Sequence, residues 1–300
     1  MSVAGAPRRR AASVATLPVL GWMALASMSP AAAQTRDPPA AGFHHVHLNV
    51  VDPDRSAAFY TGAFEKTRRA NVAGWDGVRS ENIFLLFNKV EARAPAEWTT
   101  GIWHFGWNSA DVVADHRRLA ARGIPFFRVP PPSGHMWAPD GNDVEIAPGS
   151  PQSGGSAPDA FNHVHLMSAA PLCAGEWYQE MLGLPHLASR PAEPVEDCNV
   201  PFGPRRDPGN QIHLPSVRLL MDDIVLFIYP DQTPERRAVT SRGHLLDHIA
   251  LTYPDVPAAL ERLAARGVTV LEGVHKFGNS ERRAAMIEGP DAVAIELVEP

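Results

Sequence analysis

The sequence predicts an α+β protein of four βαβββ modules, two in each of two tandem domains, with the strands of each domain curling around a concave cup. Three observations predict it. FHHVHL at 43–48 returns as FNHVHL at 161–166, and RLAARG at 118–123 returns unchanged at 262–267. Between these repeats, short runs alternate apolar with polar residues, the period of strands with one buried face, and they are separated by helix-length apolar stripes. Three hundred residues exceed the length at which single cores stop growing, and 45% hydrophobic content with moderate charge describes a globular chain.

The chain opens on a segment that stands apart from the fold. Arg8, Arg9 and Arg10 form a positive start, Thr16 to Met28 is apolar, and Ala31 to Ala33 offers a small-residue cleavage site. Residues 1–33 therefore read as a secretory signal peptide, the apolar run falling short of the ~20 residues that span a bilayer. Its removal takes three arginines and no acids, so the formal charge moves from −6 to −9. That places the mature protein in the periplasm or outside the cell, with no stable membrane insertion. The acidic balance offers no basic stripe for nucleic acid.

Residues 34–42 are a tail, and 43–148 form the first domain. Val46, Leu48 and Val50 alternate with His45, His47 and Asn49 in its opening strand, after which Asp52 caps a helix with Pro53 in the first turn. The second module opens with Trp103, Phe105 and Trp107 opposite His104 and Asn108. A helix follows from Asp111 to Arg122 and stops at Gly123. Pro130, Pro131 and Pro132 cramp the strands after it. Residues 149–160, rich in Gly, Ser and Pro, form a linker to the second domain, 161–300. There Val217–Met221 and Ile224–Tyr229 read as a hairpin about Asp222 and Asp223, and a helix runs from the Asp255 cap to Gly267. Cys173 and Cys198 have a disulfide open to them in an oxidising compartment. Two complete cups fit a monomer or a homodimer.

The polar strand faces carry His45, His104 and Glu145 in the first half, and His163, His248 and Glu296 in the second. Two neutral imidazoles and a carboxylate suit Zn²⁺, Ni²⁺, Mn²⁺ or Fe²⁺ and leave positions open for a small substrate that chelates through adjacent oxygens. One ion per domain is expected. A lone strand histidine is more often a core residue; the metal reading rests on three coincidences recurring twice in the same order. His47 and His165 share a face with the histidine two before them, and either move protons and bond a metal-bound oxygen or simply line a wet cup. His135 and His275 are expected on loops over the cup mouth as general bases. Trp75 and Trp137 either pack an apolar part of the substrate or fill the rim.

These residues resemble the vicinal oxygen chelate (VOC) superfamily, which holds glyoxalase I, methylmalonyl-CoA epimerase, fosfomycin and bleomycin resistance proteins, and extradiol dioxygenases. His45-Val-His-Leu running into Ser56-x-x-Phe-Tyr60, the Asp247-His248-Ile-Ala-Leu strand, and Gly289-Pro-Asp with Ile295-Glu-Leu carry the likeness over 43–148 and 161–298. It implies two tandem VOC domains, each of two βαβββ modules forming a metal-binding cup, with the six residues above as ligands. It also implies glyoxalase-like lyase or isomerase chemistry through a metal-stabilised enolate. An Fe(II)-dependent ring-cleaving dioxygenase and a non-catalytic binding or resistance protein are its alternatives. The sequence departs from the family twice. Ile83–Phe87 and Ile224–Ile228 lack the acid that glyoxalases carry there. The dioxygenase signature after Gly273-Val-His275 has Met286 in place of tyrosine and Ala292 in place of glycine.

Overall fold

The computed structural model describes residues 41–81, 83–95, 101–149, 158–187, 205–206, 212–213, 216–231 and 238–300. The expected signal peptide, nearly all of the tail, most of the linker and Cys198 lie outside the described residues, whereas Cys173 is disulfide-bonded. Module one is β1 (Gly42–Val50), α1 (Pro53–Ala63), β2 (Thr67–Val72), β3 (Trp75–Ser80) and β4 (Ile83–Lys89). Module two is β5 (Ile102–Ser109), α2 (Val112–Ala121), β6 (Phe126–Arg128), β7 (Gly134–Trp137) and β8 (Asp143–Pro148). Module three is β9 (Phe161–Ser168), α3 (Pro171–Leu182), the short pair β10 (Arg205–Arg206) and β11 (Ile212–His213), then β12 (Val217–Met221) and β13 (Ile224–Pro230). Module four is β14 (Leu246–Thr252), α4 (Val256–Ala265), β15 (Val270–Lys276), β16 (Arg283–Glu288) and β17 (Ala294–Val298).

Local chemistry sets these boundaries. The Asp52 carboxylate accepts the Arg55 amide at 3.0 Å, Asp111 accepts those of Val113 and Ala114, and Asp255 accepts that of Ala258, each cap contributing about 1 kcal/mol. Gly123 and Gly267 close their helices at φ +81° and +83°, where a side chain would be strained. The repeated RLAARG has a structural task. Arg118 donates to the Ala63 carbonyl at the end of α1, and Arg262 donates to the Met181 carbonyl near the end of α3, both at 3.1 Å. Arg122 and Arg266 repeat the contact on Gly62 and Glu180. Each arginine pair binds helix-terminal carbonyls of the preceding module, where cations are favoured.

The sheets follow a different pairing. One has eight strands in the order β15-β16-β17-β14-β1-β4-β3-β2, and the other has seven in the order β12-β13-β9-β5-β8-β7-β6. In all four modules the first strand runs parallel to the last, and two first strands meet antiparallel at the sheet centre: β1 with β14, and β5 with β9. The α+β class and the four modules are as the sequence predicts. The composition of each cup differs: modules one and four share one sheet, and two and three share the other.

The reason lies at the end of the linker. Asn108 donates its amide to the Ala160 carbonyl at 2.9 Å, and Asp159 donates to the Asn108 carbonyl at 3.0 Å, which lays β9 beside β5. Within each half the two modules are joined by these helix arginines, and one apolar core runs between the sheets. Trp107, fully buried, stacks on Phe64 with ring centroids 4.1 Å apart, and Phe43 of β1 stacks on Phe161 of β9 at 5.9 Å. No helix among the described residues is long and apolar enough to cross a membrane.

Candidate metal centres

The two central strand pairs bring the six expected residues together in two groups. In the outer cup, from modules one and four, His45 Nε2 lies 3.4 Å from His248 Nε2 and 3.5 Å from Glu296 Oε2, and His248 Nε2 lies 3.7 Å from the same oxygen. In the inner cup, from modules two and three, His104 Nε2 and His163 Nε2 approach Glu145 Oε2 at 3.2 and 3.1 Å. The expected grouping by halves is corrected: His45 works with Glu296 and not with Glu145, and His104 with His163 and not with His45. The two groupings expose the same polar faces to a cup, so face periodicity alone did not distinguish them.

β-Bulges aim the ligands. The ladder between β1 and β14 skips at His44 and at Asp247, and the ladder between β5 and β9 skips at Trp103 and at Asn162. A bulge breaks strict alternation and re-aims the side chains beside it. Three of the four bulged residues hold the next ring: His44, Asn162 and Asp247 meet the Nδ1 of His45, His163 and His248, each at 2.7 Å. A bond at Nδ1 fixes the tautomer that leaves Nε2 unprotonated for a cation. Trp103 cannot do this, and Asp143 Oδ2 instead stands 3.6 Å from His104 Nδ1. Asp247 is in turn held by Arg242, Asn49 and the Gly243 amide.

The residues fit a divalent cation. Glu296 Oε2 is buried without a hydrogen bond although two imidazole nitrogens face it. Donor separations of 3.1–3.7 Å resemble the ~3.0–3.4 Å edges of a coordination polyhedron with bonds of about 2.1 Å. Burial, reinforced by His44, His248 and His47, holds the His45 ring far below the ordinary imidazole range. Burial also lowers His104, against the Glu145 hydrogen bond. For Glu145 itself burial acts upward, but the hydrogen bonds from His104 and His163 outweigh it and keep the carboxyl well below its usual range. Neutral His45 and His104 and an ionised Glu145 are the forms a metal needs; for His248 burial also acts downward, but the hydrogen bonds to Asp247 and Glu296 outweigh it and raise that ring.

The remaining expected residues fall around the cups. His47, pushed down to about 3 by burial and then by His248, packs edge-on to Trp75 and lines the outer cup. His165 lies 4.2 Å, ring to ring, from His104 in the inner cup. His135 and His275 are not on loops: His135 sits on β7, beside the Glu145 strand, and His275 on the edge strand β15, two strands from Glu296. His135 Nε2 is 3.6 Å from Glu145 Oε1, and His275 Nε2 is 3.9 Å from Glu296 Oε1. Trp137 stacks on Phe127 at the partly exposed rim. The outer cup is a cavity of about 310 Å³ lined by His47, Trp75, Arg242, His275 and Glu296, among others.

Residues 42–146 and 160–297 each match the Glyoxalase/Bleomycin resistance protein/Dioxygenase superfamily. The chain belongs to that superfamily. Its fold resembles glyoxalase I from Zea mays, with a TM-score of 0.61 at 18% identity over 87% of this chain and 92% of that one. A putative dioxygenase from Bacillus subtilis gives 0.59 at 16% identity over 88% and 86%. No curated protein matches by sequence. The strand register locates the superfamily's additional acidic position. Glu296 pairs with Ala250, two residues after His248; by the same rule Leu86 pairs with His47 and Phe227 with His165. Leu86 and Phe227 thus stand where a glyoxalase-like fourth ligand would, and neither donates.

Proposed function

We propose that this superfamily member is a divalent-metal-dependent lyase or isomerase acting on a small substrate that chelates through neighbouring oxygens. The observation that carries the reading is the buried Glu296 oxygen without a hydrogen bond, facing two imidazole nitrogens, with the same donor set repeated around Glu145. His45, His248 and Glu296 would hold one ion, and His104, His163 and Glu145 a second. A cation bound there supplies a Lewis acid that stabilises charge on adjacent substrate oxygens. The chain supplies the rest. Asp247 keeps His248 in one tautomer. His275 donates Nδ1–H to the Gly273 carbonyl at 2.9 Å, which leaves its Nε2 as the basic nitrogen at the outer cavity, placed to take a proton from a carbon beside a chelated oxygen. Trp75 and Phe277 wall the cavity and offer apolar surface to a substrate.

One observation favours a second reading. With Leu86 and Phe227 at the fourth position, each cup offers two histidines and one carboxylate, the donor set that also suits Fe(II) enzymes using O₂. A ring-cleaving dioxygenase remains the alternative, weakened by Met286 at the tyrosine position.

We propose export as well, supported by the leader-like pattern of residues 1–33. Substrates drawn from cytosolic glutathione or coenzyme A pools are then disfavoured. The test is to purify the mature chain without oxygen, determine metal identity and metals per chain, and add O₂ with catechol. Bound zinc, nickel or manganese with no oxygen uptake supports the lyase or isomerase reading; iron with a coloured ring-opened product overturns it in favour of the second; no metal overturns both.

A further inference from the structure

The two cups carry the same triad but different neighbours. Across β7 and β8, His135 pairs with Glu145 and Trp137 with Asp143. Across β16 and β17, Met286 pairs with Glu296 and Glu288 with Ala294. By register, then, the His135–Asp143 pair of the inner cup corresponds to Met286 and Ala294 in the outer cup. His135 and Asp143 are both buried, at 4% and 3% exposure, where an idle ionisable pair is costly.

Their geometry is that of a ligand and its support. His135 Nδ1 lies 3.0 and 3.1 Å from the two Asp143 oxygens, so Nδ1–H donates to the carboxylate and Nε2 carries the lone pair. Nε2 lies 3.6 Å from Glu145 Oε1, the partner of the oxygen that meets His104 and His163, a separation within the range found between the other donors of the cups. A ligating histidine whose second nitrogen donates to a carboxylate is the recurrent arrangement of protein metal sites.

The outer cup lacks this pair. Its extra histidine, His275, comes from the edge strand β15 with its side chain 36% exposed, stands 3.9 Å from Glu296 Oε1, and is held by a backbone carbonyl. It borders the open cavity.

We propose that His135 is a fourth protein ligand in the inner cup, positioned by Asp143, so that the inner cup retains a divalent cation that the outer cup exchanges. The inference rests on the metal reading above. Four protein donors characterise closed, retentive sites, and three donors with an open position characterise reactive ones.

The test uses the full chain loaded with Zn²⁺, followed by transfer of zinc to an excess of chromophoric chelator. The wild type is expected to bind two ions and to release them in two phases of equal amplitude. His135→Ala is expected to abolish the slow phase, and Asp143→Asn, which keeps the side chain's shape, to speed it by about 10–100-fold. His275→Ala is expected to leave the slow phase unchanged. Two ions released from the wild type in a single phase would overturn the proposal without any variant having to fold. So would a slow phase that survives His135→Ala. A chain that binds no zinc in either cup overturns the metal reading itself, an outcome distinct from two ions leaving together.

Discussion

Asp247 gives the sharpest single perturbation. Its carboxylate accepts four hydrogen bonds: from His248 Nδ1, Arg242 Nη1 and the Gly243 amide, each at 2.7 Å, and from Asn49 Nδ2 at 3.0 Å. Asp247→Ala removes the acceptor that fixes the His248 ring, which by analogy with other carboxylate–histidine supports costs about 10–100-fold in metal affinity, or roughly 1.4–2.8 kcal/mol. It also strands partly buried donors, for which the folding cost is about 1–3 kcal/mol. The measurement is zinc affinity by chelator competition in a His104→Ala, Glu145→Gln background, which leaves the inner cup too few donors to compete with the outer one, alongside chemical denaturation of the metal-free protein. Unchanged outer-cup affinity in a folded variant refutes the reasoning. So does an equal loss at the inner cup when Asp247→Ala is made in a Glu296→Gln background.

Three further outcomes follow from the geometry. A β-carbon at Gly106 would stand 2.6 Å from His163 Nε2 and 2.7 Å from the Glu145 carbonyl oxygen, so Gly106→Ala should displace His163 and lower bound zinc from two ions to one, read by elemental analysis. Trp107 is fully buried between Phe64, Tyr60 and Phe161, and Trp107→Ala should cost about 3–5 kcal/mol in denaturant unfolding. Removing the Asp111 cap with Asp111→Ala, which frees the amides of Val113 and Ala114, should cost about 1 kcal/mol with zinc content unchanged.

Much of this was legible in the sequence because it is encoded locally. The Asp caps, the glycines that end RLAARG and the hairpin at Asp222, whose φ is +56°, are each decided by the residues at hand. Which modules share a sheet was not legible. The first strands of all four modules present a histidine on the cup face, so either pairing satisfies the pattern, and the choice rests on a few backbone bonds of Asp159 and Ala160. The bulges were missed for a related reason. Alternation assigns His44, Asn162 and Asp247 to the far face, yet each turns toward the ligand that follows it. A polar residue immediately before a ligand histidine was the available signal. Asp143 offered less, because it serves His104 and His135 across neighbouring strands and not from the position beside either.

The pairing of halves can be tested by counting metal in two double variants of the chain. His45 and Glu296 belong to one cup, so His45→Ala with Glu296→Ala should leave one zinc per chain at His104, His163 and Glu145. His45→Ala with Glu145→Ala damages both cups and should leave none in competition with a chelator that spares the intact inner cup. The reverse result, one ion with the His45 and Glu145 changes and none with the His45 and Glu296 changes, would mean that each cup is closed within its own half of the chain.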